Sequence, residues 1–171
     1  HAEPGEIDAV ARAGAGIVLC PTTEGNLGDG LPNLPAWLAA GVRPAIGSDS
    51  HISVSPAEDI RVLEYSQRLR DRTRNALAGG PGQSTGRTLF DAVCEGGAAS
   101  MAQPVGAIAP GRRADITVLD ADHPTLIGRT RDDALDGWIF SGGNPCVKDV
   151  IAGGIHVVKD LRHPELGAWY I

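Results

Sequence analysis

Val42-Arg43-Pro44-Ala45-Ile46-Gly47-Ser48-Asp49-Ser50-His51 sets a carboxylate directly after a short apolar run. The apolar run reads as a buried strand, and Gly47 to His51 as the loop that leaves it. In a parallel α/β architecture such a loop opens at the C-terminal end of the strands, where barrels and doubly wound sheets place their chemistry. An aspartate at a strand end is also a common turn former and helix cap. Its meaning therefore depends on the surrounding chain.

Upstream, Pro4 to Ala13 carries apolar residues at helical spacing with Glu6 in the first turn, and stops at Gly14. Gly16-Ile17-Val18-Leu19-Cys20, ended by Pro21, is a continuous apolar run predicted to be a strand buried on both faces. Thr22 to Gly30 reads as a polar, glycine-rich loop. Leu34 to Ala40 is a short helix closed by Gly41, and Arg43 to Ser48 is the second strand. Downstream, Ala57 to about Ala78 is predicted as one long helix with Ile60, Leu63, Leu69 and Leu77 inward. Its arginines, Arg61, Arg68, Arg70, Arg72 and Arg74, form a solvated face paired with Glu58, Asp59, Glu64 and Asp71. A further helix runs from Thr85 to about Ala99. Strands alternating with helices imply parallel βα units.

From Gly106 the character changes. Ala114 to Asp120 alternates like a strand with one face buried, Trp138-Ile139-Phe140 is a short strand candidate, and Val147 to Lys159 reads as a hairpin turning at Gly153-Gly154.

The bulk composition narrows the function. The chain has 171 residues, 42% hydrophobic and 21% charged, which is ordinary globular usage. A net charge of −6 argues against nucleic-acid or anionic-membrane partners, and a small-molecule substrate is expected. No apolar run approaches the roughly 20 residues of a membrane span. The three cysteines, Cys20, Cys94 and Cys146, are far apart and read as reduced thiols of a cytoplasmic protein.

Two polar loops, Pro21 to Gly30 and Ser48 to Ser55, follow neighbouring parallel strands and would open on one face. Together they hold Glu24, Asn26, Asp29, Ser48, Asp49, Ser50, His51 and Ser53. Asp49 is a candidate metal ligand that would need nitrogen ligands from elsewhere. Glu24 could contact substrate or bond the backbone amides of its own turn. Ser48, Ser50 and His51 are candidates to orient Asp49. Cys20 ends a buried strand and reads as core.

His1, Cys20-Pro21-Thr22-Thr23-Glu24-Gly25-Asn26-Leu27-Gly28-Asp29-Gly30, Gly47 to His51 and Pro110-Gly111-Arg112-Arg113-Ala114-Asp115-Ile116-Thr117-Val118-Leu119-Asp120 together resemble the aminohydrolase branch of the amidohydrolase superfamily. Members of that branch deaminate nucleobases and related compounds. Within it, the Cys20 to Gly30 loop and Gly47 to His51 look most like the deiminases of histidine breakdown. Most aminohydrolases carry Asn-Pro-x-Ser-Asn where this chain has Cys20 to Glu24.

The resemblance implies an α/β fold: the C-terminal part of a metal-dependent TIM-like (β/α)8 barrel over residues 1–105, then a segment of a small composite β domain over 106–171. It implies one divalent metal ion, zinc or iron, and a homodimer as the full-length enzyme. Asp49 matches the aspartate after the last barrel strand, which binds the metal and helps deprotonate the attacking water. His1 matches the second histidine of a His-Ala-Thr-His-like stretch. The remaining ligands, the general-acid glutamate and the groups that hold substrate carboxylates would lie before His1. A barrel of this kind takes about 250 residues, so the sequence is expected to be the C-terminal portion of a longer enzyme and inactive alone. Two alternatives stand beside this reading: another aminohydrolase acting on a nucleobase such as guanine or cytosine, and a non-catalytic truncated module.

Overall fold

The computed structural model describes residues 2–165. Helix α1 (Pro4–Arg12) starts with Pro4 in its first turn and a reciprocal bond between Glu3 and Glu6, and buries Ile7. Strand β1 (Ile17–Leu19) runs parallel to β2 (Pro44–Ile46), pairing Ile17 with Pro44 and Leu19 with Ile46. The Gly47 amide donates to the Leu19 carbonyl at 3.0 Å and carries the ladder one step further. Between the strands lie α2 (Pro21–Leu27) and α3 (Leu34–Ala39), the latter capped by Asn33. The long helices α4 (Pro56–Asp71) and α5 (Thr85–Met101) follow. Ser55 and Ser84 cap them by accepting backbone amides of the first turn.

The apolar core gathers Leu34 from α3, Ile60 and Leu63 from α4, Leu89 from α5 and Ile139 from the chain beyond, all at most 1% exposed. Gly96 is where α5 crosses β2. A Cβ there would lie 2.3 Å from the Pro44 carbonyl oxygen, so only glycine admits this approach of helix to strand.

The structure departs from the sequence reading in several places. Val18 is 58% exposed, because β1 has only β2 beside it and one face of this two-stranded pair is uncovered among the described residues. Pro21 to Leu27 is a helix and not a loop. Pro21 stands at its start, the Glu24 carboxylate takes the Cys20 amide, and Gly28 closes it in the left-handed conformation at φ 76°. Helix α4 ends at Asp71, not near Ala78, since Arg72 turns left-handed at φ 52°. The chain then folds back so that Glu64 accepts the Ala76 and Leu77 amides. Leu77 therefore reaches the core from a loop, and Leu69 is 78% exposed. Of the expected ion pairs, Arg68 meets Glu64 and Arg70 meets Asp71, whereas Glu58 bonds Ser53 and Asp59 bonds Thr22.

Trp138 to Phe140 is helical. Helix α6 (Arg131–Gly137) continues into a π-helical turn, Trp138–Gly142, closed by the Gly143 amide on the Trp138 carbonyl at 2.7 Å. Adjacent Trp138 and Ile139 are both buried, which a strand would prevent by pointing them to opposite faces. Trp138 meets the edge of Phe90 and Phe140 stacks on Tyr65. This segment packs against α4 and α5.

Strands β3 (Ile116–Leu119), β4 (Val147–Ala152) and β5 (Ile155–Val158) form an antiparallel sheet in that order. The hairpin turns at Gly153 and Gly154 as expected, with φ 59° and 83°. The expected buried face of β3 is only partly present: Leu119 is half-buried against the core, whereas Thr117 and Val118 are both exposed. No helix among the described residues is long and apolar enough to cross a membrane.

Candidate metal-binding turn

The parallel pairing of β1 and β2 brings their C-terminal ends side by side, so Cys20 and Gly47 are neighbours. From Gly47 the chain makes one tight turn, Ser48 to His51, closed by the His51 amide on the Ser48 carbonyl at 3.0 Å. Asp49 occupies the first corner with φ 48°. Aspartate tolerates this left-handed conformation better than most residues. Its carboxylate is exposed, and among the described residues it accepts no hydrogen bond and makes no ion pair.

The clamp on this turn comes from α2. Thr23, 4% exposed, donates its hydroxyl proton to the Ser48 carbonyl at 2.7 Å and accepts the His51 amide at 3.1 Å. Its neighbour Thr22 is tied to the start of α4. The Thr22 hydroxyl and amide both donate to one carboxylate oxygen of Asp59, at 2.8 and 3.3 Å. Two consecutive threonines thus pin the Asp49 turn and the first turn of α4 to a single short helix.

The other candidates take definite places. Glu24 uses one carboxylate oxygen on the Cys20 amide at 2.8 Å, anchoring its own turn. Ser48 contributes its carbonyl, and among the described residues neither the Ser48 nor the Ser50 hydroxyl bonds Asp49. Backbone closure and the Thr23 clamp hold the turn that carries Asp49, in place of the expected serine contacts. His51 is half-buried, and its Nδ1 accepts the Ser53 amide at 3.1 Å. In a neutral ring that bond places the proton on Nε2, so His51 presents a donor and not a lone pair for a metal. His1 lies outside the described residues. Asn26 and Asp29 are exposed on α2 and the loop after it, the Asp29 amide closing the helix on the Glu24 carbonyl.

Thr22, Thr23 and Asp59 are the residues that sequence reading missed. The only local signal was a pair of hydroxyls immediately after the strand-ending Pro21.

The electrostatics suit a cation. Burial pushes the Cys20 thiol above its ordinary pKa, and the nearby charges of Asp49, Glu24 and Asp59 push it further. Cys20 is half-buried, and both effects disfavour its thiolate. Burial also raises the Asp59 carboxyl, against the opposing bonds from Thr22. The folded state therefore holds its proton at a pH where the unfolded chain has released it. Stability should fall as pH rises from the ordinary carboxylate range through the raised value. Replacement of Asp59 by asparagine, which keeps an acceptor for Thr22, is expected to remove that fall. Urea midpoints measured from pH 4 to 8 on both proteins check it, and parallel profiles would contradict it.

Among the described residues no three histidine, cysteine, aspartate or glutamate side chains gather to hold a metal. Asp49 is a single hard oxygen donor, exposed, unpaired and rigidly presented. That fits one position of a zinc or iron centre whose other ligands come from elsewhere in the protein.

A profile described as the amidohydrolase family matches residues 1–157. The chain belongs to the amidohydrolase family. It is 50% identical over 163 residues to formimidoylglutamate deiminase of Pseudomonas aeruginosa, covering 95% of this chain and 36% of the relative. It is 31% identical over 166 residues to isoxanthopterin deaminase from an unknown prokaryote, covering 91% of this chain and 34% of that protein. A crystal structure of an amidohydrolase from Brucella melitensis superposes with a TM-score of 0.85 at 43% identity, over 96% of this chain and 36% of that one. The described α/β unit is thus part of an amidohydrolase fold, and the chain spans about a third of the length of the relatives it matches. Related structures hold zinc, among them atrazine chlorohydrolase of Arthrobacter aurescens, which at 24% identity and a TM-score of 0.80 shares the fold.

Proposed function

We propose that this chain is the C-terminal portion of a formimidoylglutamate deiminase, which hydrolyses N-formimidoyl-L-glutamate to N-formyl-L-glutamate and ammonia in histidine breakdown. The carrying observation is the 50% identity to the Pseudomonas aeruginosa enzyme over 95% of this chain. In this reading β1 and β2 are the last two strands of a (β/α)8 barrel, with Asp49 at its C-terminal face. The β3–β5 sheet is a segment of the small composite β domain beside it.

A divalent cation at this position supplies Lewis acidity, which makes water nucleophilic near neutral pH. One oxygen of Asp49 would hold that cation. The other would take the proton of the attacking water, and a glutamate outside this chain would carry a proton to the departing nitrogen. The left-handed corner presents both oxygens outward from the strand end, free of competing donors. Cys20 lies beside Gly47 at the base of the turn, and His51 would offer its Nε2 proton as a hydrogen-bond donor.

A second reading, a nucleobase-type aminohydrolase, is favoured only by the 31% identity to isoxanthopterin deaminase. The full-length protein should release ammonia from N-formimidoyl-L-glutamate with a kcat/KM at least 100-fold above that for guanine, cytosine or isoxanthopterin. Ammonia release from a nucleobase or pterin alone would refute the proposal.

A further inference from the structure

We propose that Thr23 is a positioning residue for Asp49, its hydroxyl locking the Ser48–His51 turn in the left-handed form that presents the carboxylate to the metal. The inference rests on Asp49 being a metal ligand, but not on which substrate is hydrolysed. The left-handed region is less favourable than the right-handed one for an L-residue, so the corner gains from support outside the turn. The His51 amide to Ser48 carbonyl bond alone would leave this four-residue turn free to relax. Thr23 bridges both of those groups, donating to one at 2.7 Å and accepting from the other at 3.1 Å. At 4% exposure the two bonds face little competition from water.

Thr23 is itself immobilised. Pro21 fixes the entry to α2, Thr22 is held by buried Asp59, and the Glu24 carboxylate returns to the Cys20 amide. The positioning therefore runs from the start of α4, through two adjacent hydroxyls, into the backbone on either side of Asp49. Among the described residues no side chain hydrogen-bonds or ion-pairs with the Asp49 carboxylate, which leaves its oxygens for a cation and a water.

The test uses the full-length enzyme stripped of metal and titrated with zinc against a chelator. Thr23→Val removes both bonds at nearly constant shape, and Thr23→Ser retains them. Valine should weaken zinc binding and kcat by about 10–100-fold, the usual effect of losing a group that orients a ligand, while serine stays within about 3-fold of wild type. A merely structural threonine would lower the urea midpoint of the valine variant and leave zinc affinity per folded molecule unchanged, which overturns the proposal. Asp49→Asn must also lose zinc affinity; if it does not, the site reading falls and this inference with it. Should the valine variant not fold, hydrogen exchange of the wild-type protein decides. The His51 amide should exchange slowly with and without zinc, and exchange at open-loop rates in the metal-free enzyme would overturn the clamp. If zinc binding behaves as expected but N-formimidoyl-L-glutamate is not consumed, the substrate proposal fails and the Thr23 inference stands.

Discussion

Asp49→Asn in the full-length enzyme is expected to reduce kcat by about 10²–10⁴-fold, the range for losing a positioned proton acceptor, and to lower the bound zinc well below one per chain. Asparagine keeps the shape of the side chain and tolerates the left-handed corner at φ 48°, so the turn itself should survive. What changes is the chemistry. A neutral amide oxygen is a poorer donor to a divalent cation than a carboxylate, and the amide cannot accept the proton of the attacking water. Because the Asp49 carboxylate makes no hydrogen bond among the described residues, its loss should leave the unfolding free energy of the metal-free protein within about 0.5 kcal/mol of metal-free wild type, as for surface changes in general. Activity and metal content are measured on the same preparation. An active, zinc-replete asparagine variant would remove Asp49 from the site.

The largest stability effect is expected at Glu64. Its side chain is completely buried, yet it bonds Arg68 at 2.6 Å and accepts the amides of Ala76 and Leu77 at 2.9 and 3.0 Å. Arg68 in turn lies over the rings of Tyr65 and Phe140, at 5.2 and 5.8 Å from their centres. One carboxylate thus joins α4, the left-handed turn after it and the π-helical segment. Glu64→Ala would strand the guanidinium and two amides, one of them buried, at a cost of about 3–5 kcal/mol. Glu64→Gln keeps one acceptor and should cost less, about 1–3 kcal/mol. Urea unfolding of the three proteins measures both, and a loss below about 1 kcal/mol in the alanine variant would show that the turn is held by other contacts.

The same residue explains what could and could not be read in the chain. β1, β2 and the β4–β5 hairpin were legible because short apolar runs and Gly153-Gly154 are local signals. Asp49 stands out as a candidate from its motif and its place after a strand. The end of α4 was not, because the bond from Glu64 to Leu77 joins residues 13 apart and helical periodicity continues past Asp71. Pro21 to Leu27 looked like a loop because threonines and a glycine lower helix propensity. It is helical because Asp59, far along the chain, and Glu24 satisfy its first turn. Asp59 resembled a partner for the arginines of its own helix, and only the fold turns it towards Thr22. Trp138 to Phe140 has strand composition, but it is helical where it packs against α4 and meets Phe90 of α5. The clamp at Thr23 depends on parallel register, which places Ser48 beside α2, and no single stretch of sequence encodes it.

The central claim is hydrolytic deimination by the enzyme that carries this chain, and isotope transfer from water tests it most directly. The full-length protein is incubated with N-formimidoyl-L-glutamate in ¹⁸O-water, and the products are followed by mass spectrometry and an ammonia assay. The account predicts N-formyl-L-glutamate carrying one ¹⁸O in its formyl group, formed in equal amount with ammonia and lost with Asp49→Asn. Unconsumed substrate, or ammonia released without label in the formyl oxygen, would contradict it.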